Sequence, residues 1–269
     1  MSKKKILYIS QEIAGYLPDT ELSHTSRYLP QGIQDFGKEI RSFMPRFGQI
    51  NERRNQLHEV IRLSGMNIVI DDSDHPLIIK VASIQSARMQ VYFIDNEDFF
   101  QRKELFVDKN AKDFADNDER AIFFARGVLE TVKKLRWEPD IVHCHGWFTA
   151  LAPLYLKKTF ADDPIFNKAK IVYSLYEDCV KDNFSKDFAS KAMYDIIEPE
   201  DVKQLKEATV LNLNKLAMDY SDGVIVGSLK ADKDAVAYAK TCGKPFLDFL
   251  PEDTYIAAYN DFYDKILEA

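Results

Sequence analysis

The chain has 269 residues, 36 basic against 43 acidic, for a formal net charge of −7; this is enough for one large core or two small ones and the wrong sign for a nucleic-acid scaffold. No apolar run approaches the roughly 20 residues of a bilayer span, and charged residues interrupt the start before a signal-peptide core can form. Three scattered cysteines, Cys144, Cys179 and Cys242, make no disulfide framework and suit a reducing cytoplasm.

The β-rich run Lys4–Ser10 reads as a buried strand. After a loop carrying Gly15 and Pro18, His24–Gly37 reads as a helix, with Tyr28, Leu29, Ile33 and Phe36 at helical spacing and Gly37 as its stop. Ile40–Met44 returns to strand, closed by Pro45. Strand, helix, strand over about 40 residues is a βαβ unit and implies a parallel sheet. The next stretch, with Val- and Ile-rich runs at 57–63, 66–70, 77–84 and 89–94, predicts an inserted antiparallel meander. Asp71, Asp72 and Asp74 fall in one of its turns, where solvation explains three acids better than a metal does.

Ala115–Trp137 reads as a long amphipathic helix whose acidic start and basic end complement the helix dipole. Glu138-Pro139-Asp140 breaks it and Ile141–His145 returns to strand. Further helices are expected over 148–158, 211–220, 231–239 and 256–267, and further strands over 170–175 and 222–226. The pattern is one doubly wound α/β domain with a hairpin insertion.

His143-Cys144-His145 invites a metal or a nucleophile. In a strand, however, the two histidines share one face and Cys144 points the other way, and two ligands fall short of a zinc site. No metal is expected. Position is more informative, because this segment ends a parallel strand, where open α/β sheets place their crevice. Candidate cleft residues on that edge are Glu12, beyond the first strand, and His145 and Trp147, beyond this one. Asp178, Cys179 and Asp182 follow the strand ending at Leu175, and Cys179 has no histidine base nearby in sequence. Phosphate chemistry is poorly served. There is no GxGxxG after the first strand and no GxxxxGK[ST], and glycine is scarce, 10 residues in all. The loop Gly15–Glu21 offers Asp19 and Glu21 where a nucleotide binder exposes amides.

The stretch Glu138–Leu156, with Val142-His143-Cys144-His145-Gly146-Trp147 after Pro139-Asp140, resembles the bacterial glycogen and starch synthases, retaining family 5 glycosyltransferases that use ADP-glucose. Lys5–Ala14 resembles that family's opening strand and its S-E-V-A turn, and Arg41–Phe47 its V-R-V-V-M-P-R-Y strand; Leu29-Pro30 fits its first helix. The resemblance covers roughly residues 4–240. It implies the Rossmann-like amino-terminal domain of a two-domain GT-B glycosyltransferase, as a single domain over 1–269, with 251–269 a carboxyl-terminal helix packing back on it. The donor-side domain, which should carry most nucleotide-sugar contacts, is expected to be missing between about Pro245 and Tyr255.

The departures fall on the chemistry. The family's K-T-G-G-L loop reads Pro18-Asp19-Thr20-Glu21-Leu22 here. Its H-D-W-H reads His145-Gly146-Trp147-Phe148, and its T-I-H-N reads Ser174-Leu175-Tyr176-Glu177. Scaffold residues survive where polar cleft residues do not. The expectation is a glycogen/starch synthase-like protein of glucan metabolism, cytoplasmic and non-catalytic alone, acting as a glucan- or partner-binding domain without a cofactor. Its cleft candidates are Glu12, His145, Trp147 and Tyr176, with Trp147 either stacking on sugar or packing in the core. The alternative is a half-enzyme that transfers glucose from ADP-glucose to an α-1,4-glucan once another subunit supplies the donor domain. Candidate partners are an α-glucan, ADP-glucose, a partner glycosyltransferase or a sister chain, with neither nucleic acid nor membrane expected.

Overall fold

In the computed structural model, which describes residues 3–181 and 183–269, the opening strand β1 (Lys5–Ser10) lies in the middle of the sheet. Helix α1 (Glu21–Asp35) carries the chain to β2 (Glu39–Pro45), which pairs with β1 in parallel. Gly37, at φ +86°, makes the left-handed turn between them that glycine adopts without steric cost. The inserted region follows as β3 (His58–Glu59), β4 (Met66–Ile70), β5 (Ser73–Ile84) and β6 (Met89–Asp95). β5 pairs antiparallel with β3, β4 and β6, whereas β6 lies parallel to β2. The meander is therefore smaller than its sequence pattern suggests, because its last strand belongs to the parallel sheet. Asp71 and Asp72 form the β4–β5 turn, and Asp74 sits one residue into β5.

The short α2 (Glu97–Phe100) precedes the long α3 (Asn117–Leu135), which leads to β7 (Ile141–His145) on the other side of β1. The predicted helix at 148–158 is split into a 3₁₀ turn at Trp147–Thr149 and α4 (Leu151–Lys157). Then come β8 (Lys170–Leu175), α5 (Phe188–Ala192), α6 (Val210–Asp219), β9 (Gly223–Val226), α7 (Lys233–Thr241), β10 (Phe246–Leu247) and α8 (Tyr255–Glu268). The strand order is β10-β9-β8-β7-β1-β2-β6-β5-β3, with β4 against β5; from β10 to β6 every neighbouring pair is parallel. Among the described residues no helix is long and apolar enough to cross a membrane.

Both faces of the sheet are covered, which is why its central strands read as continuous apolar runs. On one face Leu7, Ile9, Val142, Cys144, Ile171 and Tyr173 join the large core beneath α3, α4 and α6. On the other, Ile6, Tyr8, Ile141, Val172 and Ile225 lie beneath α1 and α8, against Tyr255, Tyr259, Phe262, Tyr263 and Ile266. This second face is partly polar. His143 Nδ1 is 2.5 Å from the Tyr263 hydroxyl and its Nε2 is 2.6 Å from Ser174 Oγ, so the last helix and β8 together satisfy a fully buried imidazole.

Helix α8 rests on α1 at a glycine. A Cβ at Gly32 would lie 2.5 Å from Ile256 Cγ2. Gly32→Ala gains about 1 kcal/mol of helix propensity but costs about 1–3 kcal/mol in overpacking against a stiff β-branched side chain. The single variant is expected to lower the denaturation midpoint, and in an Ile256→Ala background the same change is expected to raise it. A double-mutant cycle by urea unfolding checks the change of sign.

Candidate functional site

β1 leads through α1 to β2 on one side, and α3 carries the chain to β7 on the other, so the strand order reverses between β1 and β7. In open α/β sheets that reversal opens a crevice beyond the carboxyl ends of the two strands. Here Gln11 occupies it. Its Oε1 accepts a hydrogen bond from the Phe148 amide at 3.3 Å and would lie 2.5 Å from a Cβ built on Gly146. Gly146 is held at φ +81°, and Leu22 crowds the same space at 2.7 Å. A side chain at position 146, where the resemblance puts an aspartate, would displace the ends of Gln11 and Leu22 and sit on a left-handed backbone that favours glycine.

The residue after Gln11 is Glu12, which is buried. Its Oε1 accepts from Gln11 Nε2 at 3.2 Å and its Oε2 from Thr20 Oγ1 at 3.0 Å. Burial pushes its carboxyl above the ordinary range, against the pull of those two bonds. Thr20 is also the N-cap of α1, accepting from the Ser23 amide at 3.0 Å while Ser23 Oγ accepts from the Thr20 amide at 2.8 Å. Glu12 thus ties the loop after β1 to the start of α1. The helix end that would receive a diphosphate is closed by its own reciprocal cap, and the Glu21 carboxylate beside it accepts a hydrogen bond from Ser228.

Around that helix end the loops after β1, β8 and β9 enclose three adjoining cavities of about 440, 460 and 560 Å³, all bordered by Lys230. Together they form a groove along the carboxyl edge of the sheet. Its walls carry Glu12, Asp19, Glu21, Glu177, Asp178, Asp232 and Glu252 against Lys181, Lys230 and His24, so the groove is acidic. Lys230 faces Glu177 at 3.3 Å, an exposed pair that cancels little of the field. Asp178 sits deeper. Burial, with the charge of Asp232, pushes its carboxyl up to about 7, although Asn214 Nδ2 donates to it at 3.2 Å.

His145 is fully buried beneath the groove rather than on its wall. Its Nδ1 is 3.0 Å from the Tyr176 hydroxyl, its ring centroid is 3.8 Å from that of His143, and burial pushes it down to about 3. It is neutral at physiological pH. Tyr176 lines the groove next to Glu12, with its ring packed so closely on Gly227 that a Cβ there would lie 2.5 Å from it. Trp147 is 1% exposed and wrapped by Phe106, Phe148 and Phe184 at ring-centroid distances of 5.1, 5.2 and 5.5 Å. In this structure the indole packs among aromatic side chains. Cys144 points to the opposite face, inside the core. Cys179 is an exposed free thiol at the groove and Asp182 lies outside the described residues. Among the described residues no group of three or more His, Cys, Asp or Glu is placed to hold a metal ion.

A match to the starch synthase catalytic domain family spans residues 5–243. The chain belongs to that family. A glycogen synthase from Chlorobium limicola is 39% identical over 173 residues, which is 64% of this chain and 35% of that protein. The glycogen synthase of Chlorobaculum tepidum is 35% identical over 229 residues, 83% of this chain and 46% of that one. The chain thus spans less than half the length of these family members. The catalytic domain of starch synthase IV from Arabidopsis thaliana, solved with ADP and acarbose, has a TM-score of 0.73 at 19% identity and covers 93% of this chain and 52% of that chain. A sucrose-phosphate synthase structure from Thermosynechococcus elongatus has a TM-score of 0.50 at 13% identity and covers 98% of each chain. These neighbours share the GT-B half-fold, a mostly parallel sheet with a few antiparallel strands.

Lys230, Ser228 and Asp232 were not among the sequence candidates. The signal for them was the strand at 222–226, whose following loop must reach the same edge as those after β1, β7 and β8. Asp178 gives a pH test. The unfolded carboxyl titrates near 3.9 and the folded one near 7, so between these values the native state holds a proton that the unfolded state has lost. Stability from this group therefore falls as pH rises from about 4 to about 7 and is flat above. The difference in unfolding free energy between Asp178→Asn and the parent chain is expected to grow in the variant's favour across that window; a pH-independent difference contradicts the assignment.

Proposed function

We propose that this family member does not transfer glucose by itself and serves in glucan metabolism as a glucan- or partner-binding domain. The observation that carries the reading is the start of α1. In place of a lysine, a threonine and two glycines stand Pro18, Asp19, Thr20 and Glu21, and the Ser23 and Thr20 amides there are used by the reciprocal cap. Two acids of the same short segment border the groove with five other carboxylates. A diphosphate brought here meets repulsion of about 1 kcal/mol or more from each close acid at surface dielectric, and no amide nest. A neutral polyol meets no such repulsion, and the carboxylates offer hydrogen bonds that sugar hydroxyls can use.

Electrostatic stabilisation of the leaving group is the largest demand of this kind of transfer, and the residues at this edge supply little of it. The Arabidopsis neighbour was solved with ADP and acarbose, so a nucleotide and a carbohydrate are the ligands to test against each other. We read α8 as the helix that closes the acceptor-side domain, with no donor-side domain between β10, ending at Leu247, and Tyr255. The second reading, a half-enzyme completed by another subunit, is favoured by a groove left open along one edge.

Restoring the family loop tests the first reading. The variant Pro18→Lys, Asp19→Thr, Thr20→Gly, Glu21→Gly is expected to bind ADP at least about tenfold more tightly than the parent by calorimetry. The double variant Asp19→Asn, Glu21→Gln, which keeps the cap, is expected to move in the same direction. A parent chain that binds ADP as tightly as either variant contradicts the lost-site reading.

A further inference from the structure

The loop after β1 has a second side. Residues 14–16, between Glu12 and Asp19, line a different cavity of about 310 Å³, bounded by α1, the segment before β3 and the end of β5. Its charge is the reverse of the groove's. Arg27 and Arg54 border it and no carboxylate does.

Arg27 is held in place by neutral groups. Its Nη1 donates to Gln31 Oε1 at 2.9 Å, its Nη2 approaches Ser86 Oγ at 3.4 Å, and the guanidinium lies 5.1 Å from the Tyr28 ring centroid. The arginine ion pairs among the described residues belong to Arg46 and Arg102. A positioned guanidinium without a counter-charge, in a chain of net charge −7, is a pre-organised anion receptor. Arg54 is exposed at the rim, with its backbone amide donating to Asn51 Oδ1 at 2.8 Å.

The rest of the wall is polar and neutral. The Asn55, Gln56 and Gln85 amides and the Ser83 hydroxyl offer both donors and acceptors. Two cations answer a phosphoryl group, and a ring of amides and a hydroxyl answers the hydroxyls of a small sugar. The volume, about 310 Å³, admits a monosaccharide. We propose that this cavity binds a phosphorylated monosaccharide, with the phosphoryl group between Arg27 and Arg54, at a site separate from the acidic groove.

Calorimetry with glucose 6-phosphate, inorganic phosphate and glucose tests this on the full chain. Saturable binding of glucose 6-phosphate is expected, at least tenfold weaker binding of inorganic phosphate, and no response to glucose in the same range. Arg27→Gln and Arg54→Gln are each expected to weaken glucose 6-phosphate at least tenfold with the melting temperature unchanged, while Asp19→Asn, Glu21→Gln in the groove leaves it within twofold. Arg54 is exposed, so its variant reports on binding even where Arg27→Gln disturbs α1. No saturable binding, inorganic phosphate as tight as the sugar phosphate, or an Arg54→Gln variant that binds like the parent overturns the proposal.

Discussion

A parallel sheet buried on both faces leaves only one place for a ligand to meet several strands at once, the edge where their carboxyl ends emerge. In this chain that constraint brings the loops after β1, β7, β8 and β9 to one line. What each loop contributes is then a matter of single residues. Gln11 fills the crevice at the reversal of strand order, Tyr176 packs over His145 and Gly227, and carboxylates line the open remainder. The groups lining that edge are predominantly acidic.

The last helix belongs to this arrangement through a polar seam rather than through apolar burial alone. The Tyr263 hydroxyl and Ser174 Oγ between them satisfy both nitrogens of His143. Removing α8 would leave a buried imidazole nitrogen without a partner, at a cost of about 1–3 kcal/mol, besides uncovering Tyr8, Ile141 and Val172. Helix α8 therefore completes the domain that β1 begins, although residues 11–254 separate them in sequence.

Much of the fold was legible in the sequence because its strands are long apolar runs with clear breaks. The strands 141–145 and 170–175 match their sequence boundaries, and the long helix at 117–135 announced itself by dipole-matched charges. The strand at 89–95 was legible as a strand but not as a member of the parallel sheet, since β6 pairs antiparallel on one side and parallel on the other. Residues 176–209 show no clear period, and among the described residues there α5, a 3₁₀ turn at Lys203–Lys206 and short turns form. For the site, alternation along β7 correctly separated Cys144 from the two histidines. Burial was not legible. Nothing in a single sequence distinguishes a Trp147 that stacks on sugar from one enclosed by Phe106 and Phe184, which lie 41 positions before it and 37 after. The Arg27–Arg54 cavity was invisible for the same reason, because its two cations come from separate elements.

We propose that the acceptor-side scaffold has been kept while the chemistry of transfer has been lost from this chain. Incubating the purified chain with labelled ADP-glucose and an α-1,4-glucan primer, and following label in the glucan, measures that claim directly. No incorporation above a no-protein control is expected. Time-dependent elongation of the primer by this chain alone would contradict it.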